Sequence, residues 1–174
     1  PADGPEAYKA VMAAAEYEGP VYIRLGRSGV PTISDPDAAF TIGKGTVMRE
    51  GNDVVIIACG IMVAKALEAA EALQADGVSA AVIDMSTIKP IDRALIVEWA
   101  EKTGAVVTAE EHNIVGGLGS AVAEVLVAEK PVPMEMVGVE DVFGESGTAD
   151  ALLEKYGLTK EHIIEKAKHV ITRK

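Results

Sequence analysis

Short runs of consecutive apolar residues alternate with stretches in which apolar positions recur every three or four residues. Val54-Val55-Ile56-Ile57-Ala58 is apolar throughout, the pattern of a strand covered on both faces. After Gly60, the positions Val63, Ala66, Leu67, Ala70 and Leu73 mark one face of a helix that Gly77 closes. Ala80 to Asp84 reads as the next strand. A helix follows, opened by Lys89-Pro90-Ile91-Asp92 with Asp92 as cap and stopped by Gly104. Ala105 to Thr108 is a third strand, succeeded by a glycine turn and a helix carrying Val122, Val125 and Leu126. Met134 to Val139 is a fourth strand. Thr148 opens a helix that Gly157 stops, and Thr159 opens a last one with Ile163, Ala167, Val170 and Ile171 facing inward.

Strand-helix alternation of this kind predicts a three-layer α/β/α domain around a mainly parallel sheet, helices lying on both faces. Gly45 to Arg49, joined to the first parallel strand by Glu50-Gly51-Asn52-Asp53, predicts an antiparallel edge strand and brings the sheet to about five strands.

The first 40 residues follow a different pattern. Asp3 can cap a helix, with Glu6 as the reciprocal half of a capping box. Small residues from Tyr8 to Glu18 continue that helix until Gly19-Pro20, and Val21-Tyr22-Ile23-Arg24-Leu25 then reads as one strand. One helix and one strand cannot enclose a core, so residues 1–27 read as the tail of a domain whose body lies elsewhere. Ser28 to Phe40, with two prolines, Gly29 and two aspartates, is a linker.

Composition narrows the picture. The chain has 174 residues, 49% apolar but only 4% aromatic, so its core is built from Ala, Val, Ile and Leu. A net charge of −11 repels a phosphate backbone and argues against nucleic acid as a partner. No apolar run approaches the roughly 20 residues of a spanning helix, which argues against a membrane role. Cys59, the single cysteine, ends an apolar run and reads as a buried, inert thiol compatible with a reducing cytoplasm.

Four features could carry chemistry. Gly116-Gly117-Leu118-Gly119, between a strand and a helix, could hold a phosphate on helix amides, or could be a tight turn that lets the helix pack closely. Its spacing is not the dinucleotide fingerprint. Glu110, Glu111 and His112 end a strand, where open parallel sheets place ligands. Neighbours on a strand point to opposite faces, so Glu110 and Glu111 do not converge there, and a structural or interface role competes with acid-base work. His162 and His169, seven apart on a surface-like helix, have no third donor at metal-ligand spacing. Arg24 and Arg27 follow a strand, with Gly26 between them and Ser28-Gly29 beyond, where a guanidinium can grip phosphate in bidentate fashion or form an ion pair.

Pro1-Ala2-Asp3-Gly4, the stretch Gly19 to Arg27 and the block Glu110 to Gly119 together resemble the transketolase family. Phe143-Gly144-Glu145-Ser146-Gly147 and Leu152 to Leu158 extend the likeness almost to the end of the chain. It looks like the C-terminal half of a transketolase, of the kind split over two polypeptides. The resemblance implies that residues 1–27 are the remnant of a pyrimidine-binding domain, 28–40 a linker and 41–174 the transketolase C-terminal domain.

It further implies transfer of a two-carbon ketol unit between phosphorylated sugars in carbohydrate metabolism, as in the pentose phosphate pathway. Thiamine diphosphate and magnesium serve the complete enzyme, with none expected on this chain, whose isolated form is expected to be inactive. In such enzymes an arginine before a small-polar-x-Pro stretch, here Ser28-Gly29-Val30-Pro31, contacts the sugar phosphate. Arg27 matches it best by its distance to Pro31, and Arg24 is the competing assignment. The expected partners are an N-terminal half or subunit and further copies in a cytoplasmic oligomer such as a dimer, with Glu111 and His112 at an interface or near the site. A deoxyxylulose-phosphate synthase, a 2-oxoacid dehydrogenase beta-type subunit and a purely assembling domain are the alternatives. A free flavodoxin-like regulator is disfavoured, because Cys59-Gly60 stands where an acidic pocket would follow the first parallel strand.

Overall fold

The computed structural model describes residues 1–174. Five strands form one sheet in the order β1-β3-β2-β4-β5: β1 (Thr46–Arg49), β2 (Val54–Ala58), β3 (Ala80–Asp84), β4 (Val106–Asn113) and β5 (Met134–Val139). All neighbours run parallel except β1, which pairs antiparallel with β3. The edge strand therefore exists, but it does not fold back on its sequence neighbour β2. Both edges of β2 are taken by parallel partners, β3 and β4. The connecting turn crosses the start of β3 so closely that a Cβ on Gly51 would lie 2.2 Å from the carbonyl carbon of Ala80.

Period-2 alternation divides the buried residues between two layers. Val54, Ile56 and Ala58 face α2 (Met62–Ala75) and α6 (Lys160–Ile171), while Val55 and Ile57 face α3 (Arg93–Thr103) and α4 (Leu118–Glu129). Every residue of β2 and β3 is buried, which explains their unbroken apolar runs. Each fully buried Val or Ile stabilises by roughly 1.5–3 kcal/mol relative to exposure. The helix ends match the capping residues: Asp92 accepts from the Leu95 amide, Thr148 caps α5 (Ala149–Lys155) and Thr159 caps α6.

The N-terminal segment departs from its sequence pattern in two ways. Its helix, α1, spans Gly4–Glu16 rather than Tyr8 to Glu18, because the Asp3 cap starts it directly. Glu6 reaches past the cap to the amide of Ala2, 2.6 Å away, so the reciprocal bond lands one residue further upstream than in a capping box. More importantly, Val21 to Leu25 forms no strand. It runs without ladder partners, leaving Tyr22 88% exposed and Leu25 56% exposed. A strand exists only by pairing, and this stretch lies beside no strand of the sheet. Residues 28–40 are irregular but tethered, since Asp3 accepts from the Ile33 and Ser34 amides and Lys9 donates to the Asp35 and Ala38 carbonyls.

Candidate functional site

The strand order creates one crevice. The chain leaves β2 through α2 towards β3, and leaves β4 through α4 towards β5, on the opposite side and the opposite face. Ligands in open parallel sheets sit where adjacent connections diverge in this way, outside the carboxyl ends of the strands. Here that point lies between Cys59-Gly60-Ile61 and Glu110-Glu111-His112.

Glu110 and Glu111 part company as strand alternation demands. Glu110 follows Val106 and Thr108 to the α4 layer, where it is only 2% exposed. Its carboxylate accepts from the amides of Leu118 and Gly119 at 2.6 and 2.7 Å. Burial raises its pKa, and those two amides oppose the rise. The glycine turn is thus an anion cradle already filled by the protein's own carboxylate. A Cβ on Gly117 would fall 2.0 Å from Glu110 Oε2, and one on Gly119 would fall 2.8 Å from Met136 Sδ. Of the two readings of the turn, the close-packing one describes the structure. Glu110→Ala strands two buried helix amides and is expected to cost about 2–3 kcal/mol, read by urea denaturation. An unchanged midpoint would mean that water replaces the carboxylate.

Glu111 points the other way, towards α2. It lines a cleft of about 230 Å³ together with Arg27, Ser28, Gly29, Lys65 and Asp150. The structure therefore brings Arg27 and Glu111 together across 84 residues of chain. Arg27 is exposed and makes no ion pair. Arg24 is not among the residues that line this cleft; burial raises the pKa of both Glu110 and Cys59, and the nearby Arg24 charge opposes each rise only weakly. His112 is exposed, with Nδ1 3.1 Å from the Asn113 carbonyl oxygen.

The remaining candidates are engaged structurally. His169 pairs with Glu135, which Lys166 and Arg173 also hold, and His162 pairs with Glu165. Both imidazoles therefore stand against carboxylates rather than being merely solvated. Desolvation, and next the charge of Glu110, push the Cys59 thiol up to about 12, so it is not a nucleophile. No group of three or more His, Cys, Asp or Glu side chains is arranged to hold a metal ion. With the glycine turn filled by Glu110, the residues present do not fit a magnesium-bound diphosphate.

Two groupings escaped sequence reasoning. Lys65 and Asp150 enter the cleft from separate helices. The trace of Lys65 was a cation near a helix start, where the dipole favours anions. Asp84, 2% exposed, closes β3 against Glu6, and its Oδ1 has no hydrogen-bond partner. The only signal there was a carboxylate ending an apolar strand.

Residues 43–163, which carry this sheet and its carboxyl-end crevice, match the family described as "Transketolase, C-terminal domain". The chain is a member of that family. It is 48% identical, over its whole length and 54% of the relative, to the 6-deoxy-6-sulfo-D-fructose transketolase subunit of Clostridium sp. (strain MSTE9). It is 45% identical, over 88% of its length and 48% of the relative, to a putative transketolase C-terminal section of Methanocaldococcus jannaschii. A solved structure described as "Split gene transketolase, inactive beta4 tetramer" superposes with a TM-score of 0.97 at 60% identity, covering all of this chain and 57% of the other. The chain spans about half the length of the transketolase relatives it matches, and 27% of a 1-deoxy-D-xylulose-5-phosphate synthase to which it is 39% identical.

Proposed function

We propose that this chain is the C-terminal part of a thiamine-diphosphate-dependent transketolase and holds the anionic end of a sugar substrate through Arg27. The observation that carries the reading is the cleft that joins Arg27 and Glu111 at the carboxyl end of the sheet. A guanidinium with no carboxylate of its own is free to grip a tetrahedral anion with two parallel hydrogen bonds. The names of the relatives support an anionic sugar class: a 6-deoxy-6-sulfo-fructose, an apulose-4-phosphate and a deoxyxylulose-5-phosphate. When bound, thiamine diphosphate supplies the carbanion that accepts the ketol unit. This chain's own contribution is to orient the sugar, and the cofactor and its magnesium are held by polypeptide outside it.

The same reading assigns residues 1–27 to a pyrimidine-binding domain, 28–40 to a linker and 41–174 to the C-terminal domain. It is supported by the exposed stripe Tyr8, Val11 and Met12 on α1 and by the unpaired stretch Val21 to Leu25, which await a covering partner. A second role, assembly, is favoured by the tetramer described for the 60% identical structure. No helix is long and apolar enough to cross a membrane, and a cytoplasmic setting completes the proposal.

The test is complementation. Joined to a polypeptide carrying the remaining length of its relatives, the chain should support cofactor-dependent ketol transfer to an aldose phosphate. Alone, it should give a flat calorimetric titration with thiamine diphosphate and magnesium. Micromolar saturable binding to the chain alone, or an inert joined complex, would overturn the reading.

A further inference from the structure

A helix cap needs one hydrogen bond, and Asp3 makes four. Its Oδ1 accepts from the Glu6 amide at 3.0 Å, which is the capping bond, and from the Ser34 hydroxyl at 2.7 Å. Its Oδ2 accepts from the amides of Ile33 and Ser34 at 2.8 and 2.7 Å. A carboxylate offers about four acceptor positions, and here all are filled. Three of the four donors belong to Ile33 and Ser34, 30 and 31 residues further along the chain, so capping does not explain them.

What those donors hold is the end of the loop that carries Arg27. No backbone group of residues 18–32 bonds to another backbone group, so between the end of α1 and Ile33 the chain has no ladder or turn of its own to fix its shape. Pro31 sets one φ and keeps Val30 extended, which stiffens the short path from Ile33 back to Arg27. The carboxylate is itself a fixed point. Asp3 is buried and follows Ala2, which packs into the core layer of α2 and α6, and the Ile33 side chain rests against that layer too. Burial opposes the charge of Asp3, but its donors win and hold the carboxyl down to about 2, so it stays a charged acceptor at neutral pH.

We propose that Asp3 is a positioning residue: by tying Ile33 and Ser34 to the start of α1, it sets where the Arg27 guanidinium meets the cleft. The inference rests on the Arg27 reading and adds to it the group that holds the arginine in place. Misplacing a binding group by about 1 Å can cost up to roughly a hundredfold, so the tether governs substrate affinity although Asp3 touches no substrate.

Asp3→Ser separates the cap from the tether, since serine caps a helix about as well as aspartate but its single hydroxyl cannot serve Glu6, Ile33 and Ser34 together. In the joined enzyme, Asp3→Ser should raise KM for a ketose phosphate roughly tenfold and change kcat less than about twofold. The same ketose without its phosphate should keep its KM. On an Arg27→Ala background, adding Asp3→Ser should raise KM no further, because the tether then has nothing to place. Ser34→Ala should give a smaller loss, and Ser34→Thr, which keeps the hydroxyl, should behave as the parent does. Thr159→Ala removes the α6 cap outside the cleft and should lower stability without separating the two donors. Amide exchange read by nuclear magnetic resonance on the whole chain should show Ile33 and Ser34 losing protection in Asp3→Ser while α1 keeps its own. Equal damage to both donors by Asp3→Ser, losses that add to those of Arg27→Ala, or protection retained at Ile33 and Ser34 would overturn the inference. If Arg27→Ala separates the two donors and Asp3→Ser does not, the positioning role falls alone. If neither separates them, the Arg27 reading falls with it.

Discussion

In the joined enzyme, Arg27→Ala is expected to lower kcat/KM for a phosphorylated donor roughly fifty-fold, the equivalent of losing about 2–3 kcal/mol of charge-assisted hydrogen bonding. The loss should appear mainly in apparent substrate affinity, because Arg27 meets the non-reacting end of the sugar. Cofactor affinity should change little. Arg27→Lys should recover only part of the activity, since an ammonium keeps the charge but not the planar fork. A non-phosphorylated donor should be nearly indifferent to either change, having no group to lose. Steady-state kinetics with a matched pair of donors decides the matter. Equal damage to both donors would make Arg27 a structural residue and pass the role to Arg24, which stands near Glu110 and Cys59.

Thermal stability of the chain is expected to peak at about pH 4 and to fall on both sides, for two reasons of opposite sign. Burial, and next the charge of Glu6, push Asp84 up from its ordinary 3.8 to about 8. The native state keeps that proton while the unfolded chain gives it up above 3.8, so stability is fully present below 3.8 and drains away as pH rises towards 8. One retained proton sets a slope of at most about 1.4 kcal/mol per pH unit. Asp3 behaves oppositely. Burial works against its charge, but the Ser34, Glu6 and Ile33 amides and the Ser34 hydroxyl win and hold it down to about 2. Its contribution is therefore present above 3.8 and is lost as pH falls towards 2. Calorimetric melting from pH 2 to 9 should show the peak, with Asp84→Asn flattening the upper limb and Asp3→Asn the lower. A parent Tm that is level or rising between pH 4 and 8 would show that Asp84 is solvated in solution.

The elements of residues 41–174 were legible because local signals agree there. Apolar runs, period-3.6 stripes, capping residues and closing glycines all mark the same boundaries, as β2, α2 and the Asp92 and Thr159 caps illustrate. Agreement failed where the outcome depends on a partner. Val21 to Leu25 has strand propensity but pairs with no strand, although β1 and β5 each keep an open edge, and β1 found β3 rather than β2 because β2 was already flanked. Propensity describes one segment, whereas pairing is a property of two.

The site divides along the same line. Alternation along β4 showed in advance that Glu110 and Glu111 could not act together, and the spacing of Gly116 to Gly119 allowed both an anion cradle and a tight turn. Only the fold decided between them, by swinging the Glu110 carboxylate onto the amides of α4. By itself, the sequence determined the sheet-and-helix order, the family and the candidacy of Arg27. Tertiary structure alone decided that Arg27 shares a cleft with Lys65, Glu111 and Asp150, and that Asp84 is buried against Glu6. The physical reason is sequence distance. A helix period or a cap is written within a few residues, but charges brought together from four separate stretches of chain become neighbours only once the core has closed.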